Sequence, residues 1–295
     1  MTKKKGANLP WIIVYMLPLA LFFFAFFIFP LAFNVYTSMM KWKGGGEMTW
    51  NNFANYGKLL HDDTFLLSMK NNLIWALSQG FIQIPLATIV ALILARNPRG
   101  WKLMRTIYFL PNVISTVAIA KVWTALYNPQ FGVINGILNA LGIDAGRNWL
   151  GDMSTALPAI ILMTVIYIGY FMIIILASIM NIPKELYEAA EIDGATKIQQ
   201  EFRITIPMIR GTLATAITLA MAYGMRHFET TYLMTGGGPA YSTSTMGIAL
   251  YLKMDALRYG EASAAGIILI LLGTLVIVAI RRALGKSDPM TEAAQ

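Results

Sequence analysis

Long apolar runs alternate with short polar segments along the chain. The runs extend from Trp11 to about Phe33, Leu73 to Ala95, Ile107 to Tyr127, Ala156 to Met180, from just after Pro207 to about Leu233, and from Ala262 to Ile280. Each matches the roughly 20 residues a helix needs to cross a hydrocarbon core. The runs are continuously apolar and do not alternate, so backbone satisfaction in lipid predicts helices rather than strands. The predicted fold class is an all-α integral membrane protein with six transmembrane helices. Pro30 falls near the end of the first span, Pro85 inside the second, where a neighbouring helix or water would satisfy the freed carbonyl, and Pro111 near the start of the third. The first run far exceeds the 7–15 residues of a signal-peptide core and shows no small-residue cleavage site, so it is expected to be a retained helix. Between the fifth and sixth runs, Thr235-Gly236-Gly237-Gly238-Pro239 cannot continue a helix.

Composition agrees with a lipid solvent. Of 295 residues 57% are hydrophobic and only 13% charged, against about a quarter charged in soluble domains. The net charge of +8 raises nucleic acid as a partner, but the cations cluster at loop positions and a topological reading is better; no nucleic acid is expected. With the N-terminus inside, the inner segments hold Lys3, Lys4 and Lys5; Arg96, Arg99, Lys102 and Arg105; Lys184, Lys197, Arg203 and Arg210; and Arg281, Arg282 and Lys286, more than half of the 23 basic residues. The positive-inside rule then makes both termini cytoplasmic. The predicted organisation is a cytoplasmic tail over 1–10, a six-helix domain over 11–285 and a second tail over 286–295. There are no cysteines, and His61 and His227 form no metal-ligand spacing, so no metal site is expected.

The most charged stretch lies between the fourth and fifth spans, within 181–210. Asn181 is expected to cap a helix with Pro183 in its first turn. Leu186, Ala189, Ala190 and Ile192 recur at helical spacing, and Asp193-Gly194 ends the element because glycine accepts the left-handed cap. A second short helix carries Ile198, Phe202 and Ile206 on one face, and Pro207 is expected to break it. One reading lays these amphipathic turns on the lipid headgroups. The acids Glu185, Glu188, Glu191 and Asp193 argue against it, since anionic lipid repels them. Docking into a groove on a soluble partner fits better.

Glu188-Ala189-Ala190, then Gly194-Ala195 after three residues, then Ile206-Pro207 resembles the EAA loop of ABC importer permeases. Leu110-Pro111 with Ser115, Trp123, Asn135 after Gly132, and Thr235 with Gly237-Gly238-Pro239 resemble the carbohydrate-uptake branch, of the MalF type rather than its MalG-type partner. Gly211 departs from the pattern, where relatives often carry a second proline. The resemblance implies the type I importer permease fold in a prokaryotic cytoplasmic (inner) membrane. It also implies as partners a homologous MalG-type permease, a cytoplasmic ATPase dimer and an extracellular solute-binding protein. Coupling would fall to Glu188, Ala189, Ala190, Asp193, Gly194, Ala195 and Phe202. No phosphate loop of the form G-x-x-x-x-G-K-[ST] occurs. No cofactor is expected on this chain, ATP-Mg residing on the partner ATPase; the chain is read as a transport subunit, not an enzyme.

Polar groups inside a span are costly and usually face a cavity. A helix starting at Pro207 reaches Tyr223 after about 24 Å, in the outer half of the core, and Tyr223, Arg226 and His227 share one face with Glu229 a turn on. The resemblance maps solute contacts onto Tyr223, Gly224 and His227, and one onto Tyr170 in the fourth span, with Tyr167 a turn earlier. Aromatic faces suit the CH groups of a sugar. Arg226 and Glu229 are equally readable as a simple ion pair, and Asn112 and Ser115 as pathway residues or as a helix–helix hydrogen bond. The leading reading is a sugar importer permease for a di- or oligosaccharide. The alternative is a self-sufficient secondary transporter or channel, which needs coupling-ion groups in the spans that are scarce here.

Overall fold

The computed structural model describes residues 9–143 and 146–284. Most of the first predicted tail and all of the second, with Lys3, Lys4, Lys5 and Lys286, lie outside the described residues. Four single helices are long and apolar enough to cross a membrane: Val14–Ser38, Asp63–Ala95, Ala156–Met180 and Tyr259–Leu284. Two bent pairs bring the number to six: Trp101–Asn112 with Thr116–Leu126, bent by 95°, and Lys197–Met208 with Arg210–Met225, bent by 70°.

The fourth span has the predicted bounds. The third is not the continuous helix expected. Leu110–Asn112 tightens into a 3₁₀ turn around Pro111, and Ser115 takes an extended ψ of 130° before the chain becomes helical again. The fifth is broken at both ends. Its helix starts at Arg210, stops at Met225, and resumes only as Glu229–Thr235, with Phe228 between them at φ −136°, ψ −58°. The second and sixth helices outrun their apolar cores, and Met246–Asp255 is an additional helix.

Three prolines inside helical runs share one solution. The π turns Phe24–Ile28, Gln79–Gln83 and Glu201–Thr205 each end two residues before a proline, Pro30, Pro85 and Pro207. A proline lacks an N–H and crowds the carbonyl four residues back. Widening that turn relieves both, so the helix continues.

The chain forms two compact units. The first comprises 9–62 and 250–268 among the described residues. It holds the first helix, whose most apolar window has no buried residue, and a two-residue hairpin pairing Met40–Lys41 with Thr49–Trp50. Buried Asn55 donates to the Ser38 and Met40 carbonyls at 2.8 and 2.9 Å and fixes the turn out of the first helix.

The second unit comprises 63–249 and 269–284. Its main core sets Ile84, Ala87, Ala91 and Leu94 against Phe171, Met172, Ile175 and Ile179, with Ala216 and Ala220 of the fifth span. A polar seam crosses this unit. Ser68 donates to Ser244 at 2.9 Å, and Asn71 donates to the Ser242 and Ser244 carbonyls. Asn72 donates to the Met225 carbonyl at 2.7 Å and accepts from the Met246 N–H at 2.6 Å. Asn72 therefore satisfies a carbonyl left free where the fifth span breaks.

Candidate functional site

A cavity of about 650 Å³ lies within the second unit. Four helix irregularities supply much of its wall: the π turn Gln79–Gln83, the 3₁₀ turns Leu110–Asn112 and Val165–Tyr167, and the break at Arg226–Phe228. Non-helical backbone at membrane depth is tolerated where protein or a water-filled cavity satisfies it. Each irregularity turns polar or aromatic side chains toward a common space.

Six of the seven residues singled out for the pathway line this cavity: Tyr167, Tyr170, Tyr223, Arg226, His227 and Glu229. Tyr223, Arg226 and His227 do not share a helical face, because the helix ends at Met225; the break itself presents Arg226 and His227, and Glu229 opens the helix that follows. Gly224 does not line the cavity. It is buried, and a Cβ there would lie 2.7 Å from the Ala76 backbone. Its role is the close approach of two helices. Tyr170 and Tyr223 meet edge to face at 6.4 Å, and Phe171 adds a second edge contact at 6.5 Å. Arg226 and Glu229 form no ion pair; the Arg226 guanidinium lies over the Tyr223 ring at 5.5 Å. His227 stacks on fully buried Trp75 with centroids 3.7 Å apart, and its Nε2 has no hydrogen-bond partner.

Asn112 lines the cavity and Ser115 does not. Sequence reasoning passed over Gln79, Gln83, Thr116 and Thr164, which also line it. Gln83 donates to the Thr164 carbonyl at 3.4 Å while its Oε1 is unpartnered. The signal was present: two glutamines four residues apart inside an apolar span, just ahead of a proline.

The charged stretch folds as two short helices. Asn181 ends the preceding helix instead of starting a new one, and Pro183 is the N-cap of Lys184–Ile192. That helix closes in a Schellman motif: Ala195 N–H bonds Ala190 O at 2.8 Å and Gly194 N–H bonds Glu191 O at 3.0 Å, with Gly194 at φ +77°. Thr196 and Gln199 form a capping box that starts the next helix, Lys197–Gln200. Pro207 does not break this element; the bend comes at Ile209, after Met208.

Three ties brace the pair. The Tyr187 and Thr205 hydroxyls lie 2.9 Å apart, Arg96 donates through Nε and Nη2 to one Glu201 oxygen, and Lys197 pairs with Glu191. The Lys197 hydrogen bond, then its charge, holds the Glu191 carboxyl below its ordinary range. Glu188, Ala189, Asp193, Gly194 and Phe202 are exposed, and Ala190 and Ala195 half-buried. Ile192, Ile198 and Phe202 leave 86%, 69% and 67% of their surface open, a concentration of apolar side chains on a charged element.

Relatives share this architecture. The chain is 36% identical to the probable ABC transporter permease protein YurN of Bacillus subtilis, over 86% of this chain and 89% of the relative. It is 34% identical to the trehalose/maltose transport system permease protein MalF of Thermococcus litoralis, over 70% and 72%. A crystal structure of a bacterial alginate ABC transporter, in complex with its alginate pentasaccharide-bound periplasmic protein, superposes with a TM-score of 0.81 at 26% identity, covering 94% of this chain and 95% of that one. Residues 83–287 match the family described as the binding-protein-dependent transport system inner membrane component. The chain is thus a multi-pass membrane protein with the type I ABC importer permease fold, and it belongs to the family of binding-protein-dependent transport system inner membrane components.

Proposed function

We propose that this chain is one permease half of an ATP-driven importer for a di- or oligosaccharide in a prokaryotic inner membrane. The observation that carries this reading is the single cavity at which four helix irregularities gather tyrosines, glutamines and unpaired polar atoms. Ring faces for CH groups beside hydrogen-bonding tips suit a sugar. The sugar-transporting relative and the alginate-transporter likeness support the same substrate class. Tyr167, Tyr170, Tyr223, Arg226, His227 and Glu229 form the solute path. The EAA loop, through Glu188 to Ala195 and Phe202, couples the path to a separate ATPase pair, and a homologous permease and an extracellular binding protein complete the importer.

The test is to purify the tagged chain from its native membrane in mild detergent and weigh the intact assembly. A complex containing a second permease and two ATPase chains, with uptake in proteoliposomes that requires ATP and a sugar-loaded binding protein, is expected. A homomer that transports solute without ATP overturns the reading in favour of a secondary transporter or channel.

A further inference from the structure

The first unit contains a cleft of about 660 Å³ with no part in the reading above. It opens where the first long helix ends, at Ser38, and where the last long helix begins, at Tyr259. Lys41, Lys43, Lys58, Lys253 and Arg258 line it, against Asp62 and Glu261.

The two acids are already engaged. Lys253 lies 3.1 Å from Asp62 and 3.8 Å from Glu261, while Lys58 and Arg258 reach Glu261 at 3.4 and 3.8 Å. Lys41 and Lys43 are exposed and ion-pair with no described residue. The cleft thus carries an excess of cations whose carboxylates are spoken for. An aromatic wall joins it to the apolar helix: Trp42 lies 6.1 Å from Phe33, edge-on, and 5.3 Å from Tyr259. Below Phe33 the exposed rings continue as stacked pairs, Phe29 on Phe33 and Phe22 on Phe26.

We propose that this cleft binds the phosphate of an anionic phospholipid, with the acyl chains along the exposed phenylalanine face of the first helix. A soluble phosphate, or an acidic protein surface, would use the cations but not the apolar ladder running out of the same cleft. Aromatic side chains favour the headgroup level, where Trp42 and Tyr259 would sit. Basic clusters at that level attract anionic headgroups.

The test uses the assembled importer in nanodiscs of equimolar dioleoylphosphatidylglycerol and dioleoylphosphatidylcholine, with retained lipid counted by native mass spectrometry. Phosphatidylglycerol is expected to be enriched. On the expected orientation the cleft faces the outer leaflet, and the discs carry phosphatidylglycerol in both leaflets. Each cation near such an anionic surface is worth about fivefold, so K41Q/K43Q should cut that preference about 25-fold, and K41R/K43R should keep it. Both side chains are exposed, and thermal stability should not change. Equal retention of the two lipids, or a preference untouched by K41Q/K43Q, overturns the proposal. Inorganic phosphate binding that K41Q/K43Q abolishes, without phosphatidylglycerol enrichment, overturns the lipid in favour of a free anion. Loss of binding-protein capture by K41Q/K43Q in pure phosphatidylcholine discs, with the phosphatidylglycerol preference in mixed discs unchanged by that variant, overturns it in favour of an acidic protein partner.

Discussion

His227 shows how one side chain acquires a functional reading from its surroundings. Its ring is fixed on one face by Trp75, while Nε2 stays unpartnered beside the cavity. A held ring at the cavity wall whose buried nitrogen lacks a partner is a hydrogen-bonding group left unmet. Tyr223 is held likewise, between the Arg226 guanidinium and the edges of Tyr170 and Phe171. Replacing either by alanine removes about 0.5–1.5 kcal/mol of hydrogen bonding to solute, or more where a ring face is also lost. His227→Ala and Tyr223→Ala should therefore raise the KM for uptake about threefold to tenfold, while the complex assembles and hydrolyses ATP. Unchanged uptake kinetics would remove both residues from the path. Gly224 belongs to a different class despite its adjacent number. A methyl group there meets the Ala76 backbone, which cannot swing away, and overpacking of this kind costs about 1–3 kcal/mol. Gly224→Ala should lower the thermal stability of the purified complex, and a variant that keeps full stability but loses solute affinity would return Gly224 to the contact set.

Among the elements, the helix breaks are where sequence and structure part company. The bounds of the fourth span were legible because Ala156–Met180 is one unbroken apolar run, whereas the 3₁₀ turn at Val165–Tyr167 inside it was not. The third and fifth were legible as apolar runs, not as shapes. Hydropathy counts apolar residues and is blind to the direction the backbone takes after Pro111 or Met225. What stabilises the second break is a tertiary bond from Asn72, over 150 residues away, to carbonyls of the fifth span. In sequence, Asn71-Asn72 is only a polar pair before an apolar run. In the EAA loop the turn at Asp193-Gly194 was legible for the opposite reason, since it is written in adjacent residues, while Asn181 and Pro207 neither start nor break a helix as expected. Space is not what requires a glycine at 194: no atom lies within 4 Å of a Cβ built on it. The strain of a substitution is in the backbone alone, at φ +77°, and costs about 1–2 kcal/mol for an ordinary L-residue. Gly194→Val should thus impair uptake through a distorted loop, and Gly194→Asn, which tolerates that conformation, should retain most of it. Equal uptake by both variants at the wild-type level would remove the turn from coupling. Asn72→Leu leaves the Met225 carbonyl and the Met246 N–H without their partner; at about 1–3 kcal/mol per unmet group, it should destabilise the complex, as read by thermal unfolding in detergent.

For the whole molecule, the decisive asymmetry on the proposed reading is between a chain that holds the solute and a chain that hydrolyses ATP. This sequence carries no phosphate loop, so on the proposed reading the work of transport enters through a surface. Ile192, Ile198 and Phe202 are the apolar side chains the EAA loop leaves most open. They contribute nothing substantial to packing within this chain, which separates their energetic role from the fold's own stability. Burying a large apolar side chain against a partner is worth about 1.5–3 kcal/mol. Phe202→Ala should therefore weaken capture of the ATPase pair by roughly ten- to a hundredfold, since each 1.4 kcal/mol is about tenfold, while the unfolding temperature of the isolated permease stays the same. Uptake should fall with ATPase occupancy, and excess ATPase should restore it. A second variant guards the inference: Ile198→Ala, also on the exposed side of this element, should act in the same direction with a smaller loss. Unaltered ATPase binding by both variants would mean that the loop's open apolar side chains are not what a partner grips. A fall in the permease's own unfolding temperature would mean that they serve the fold after all.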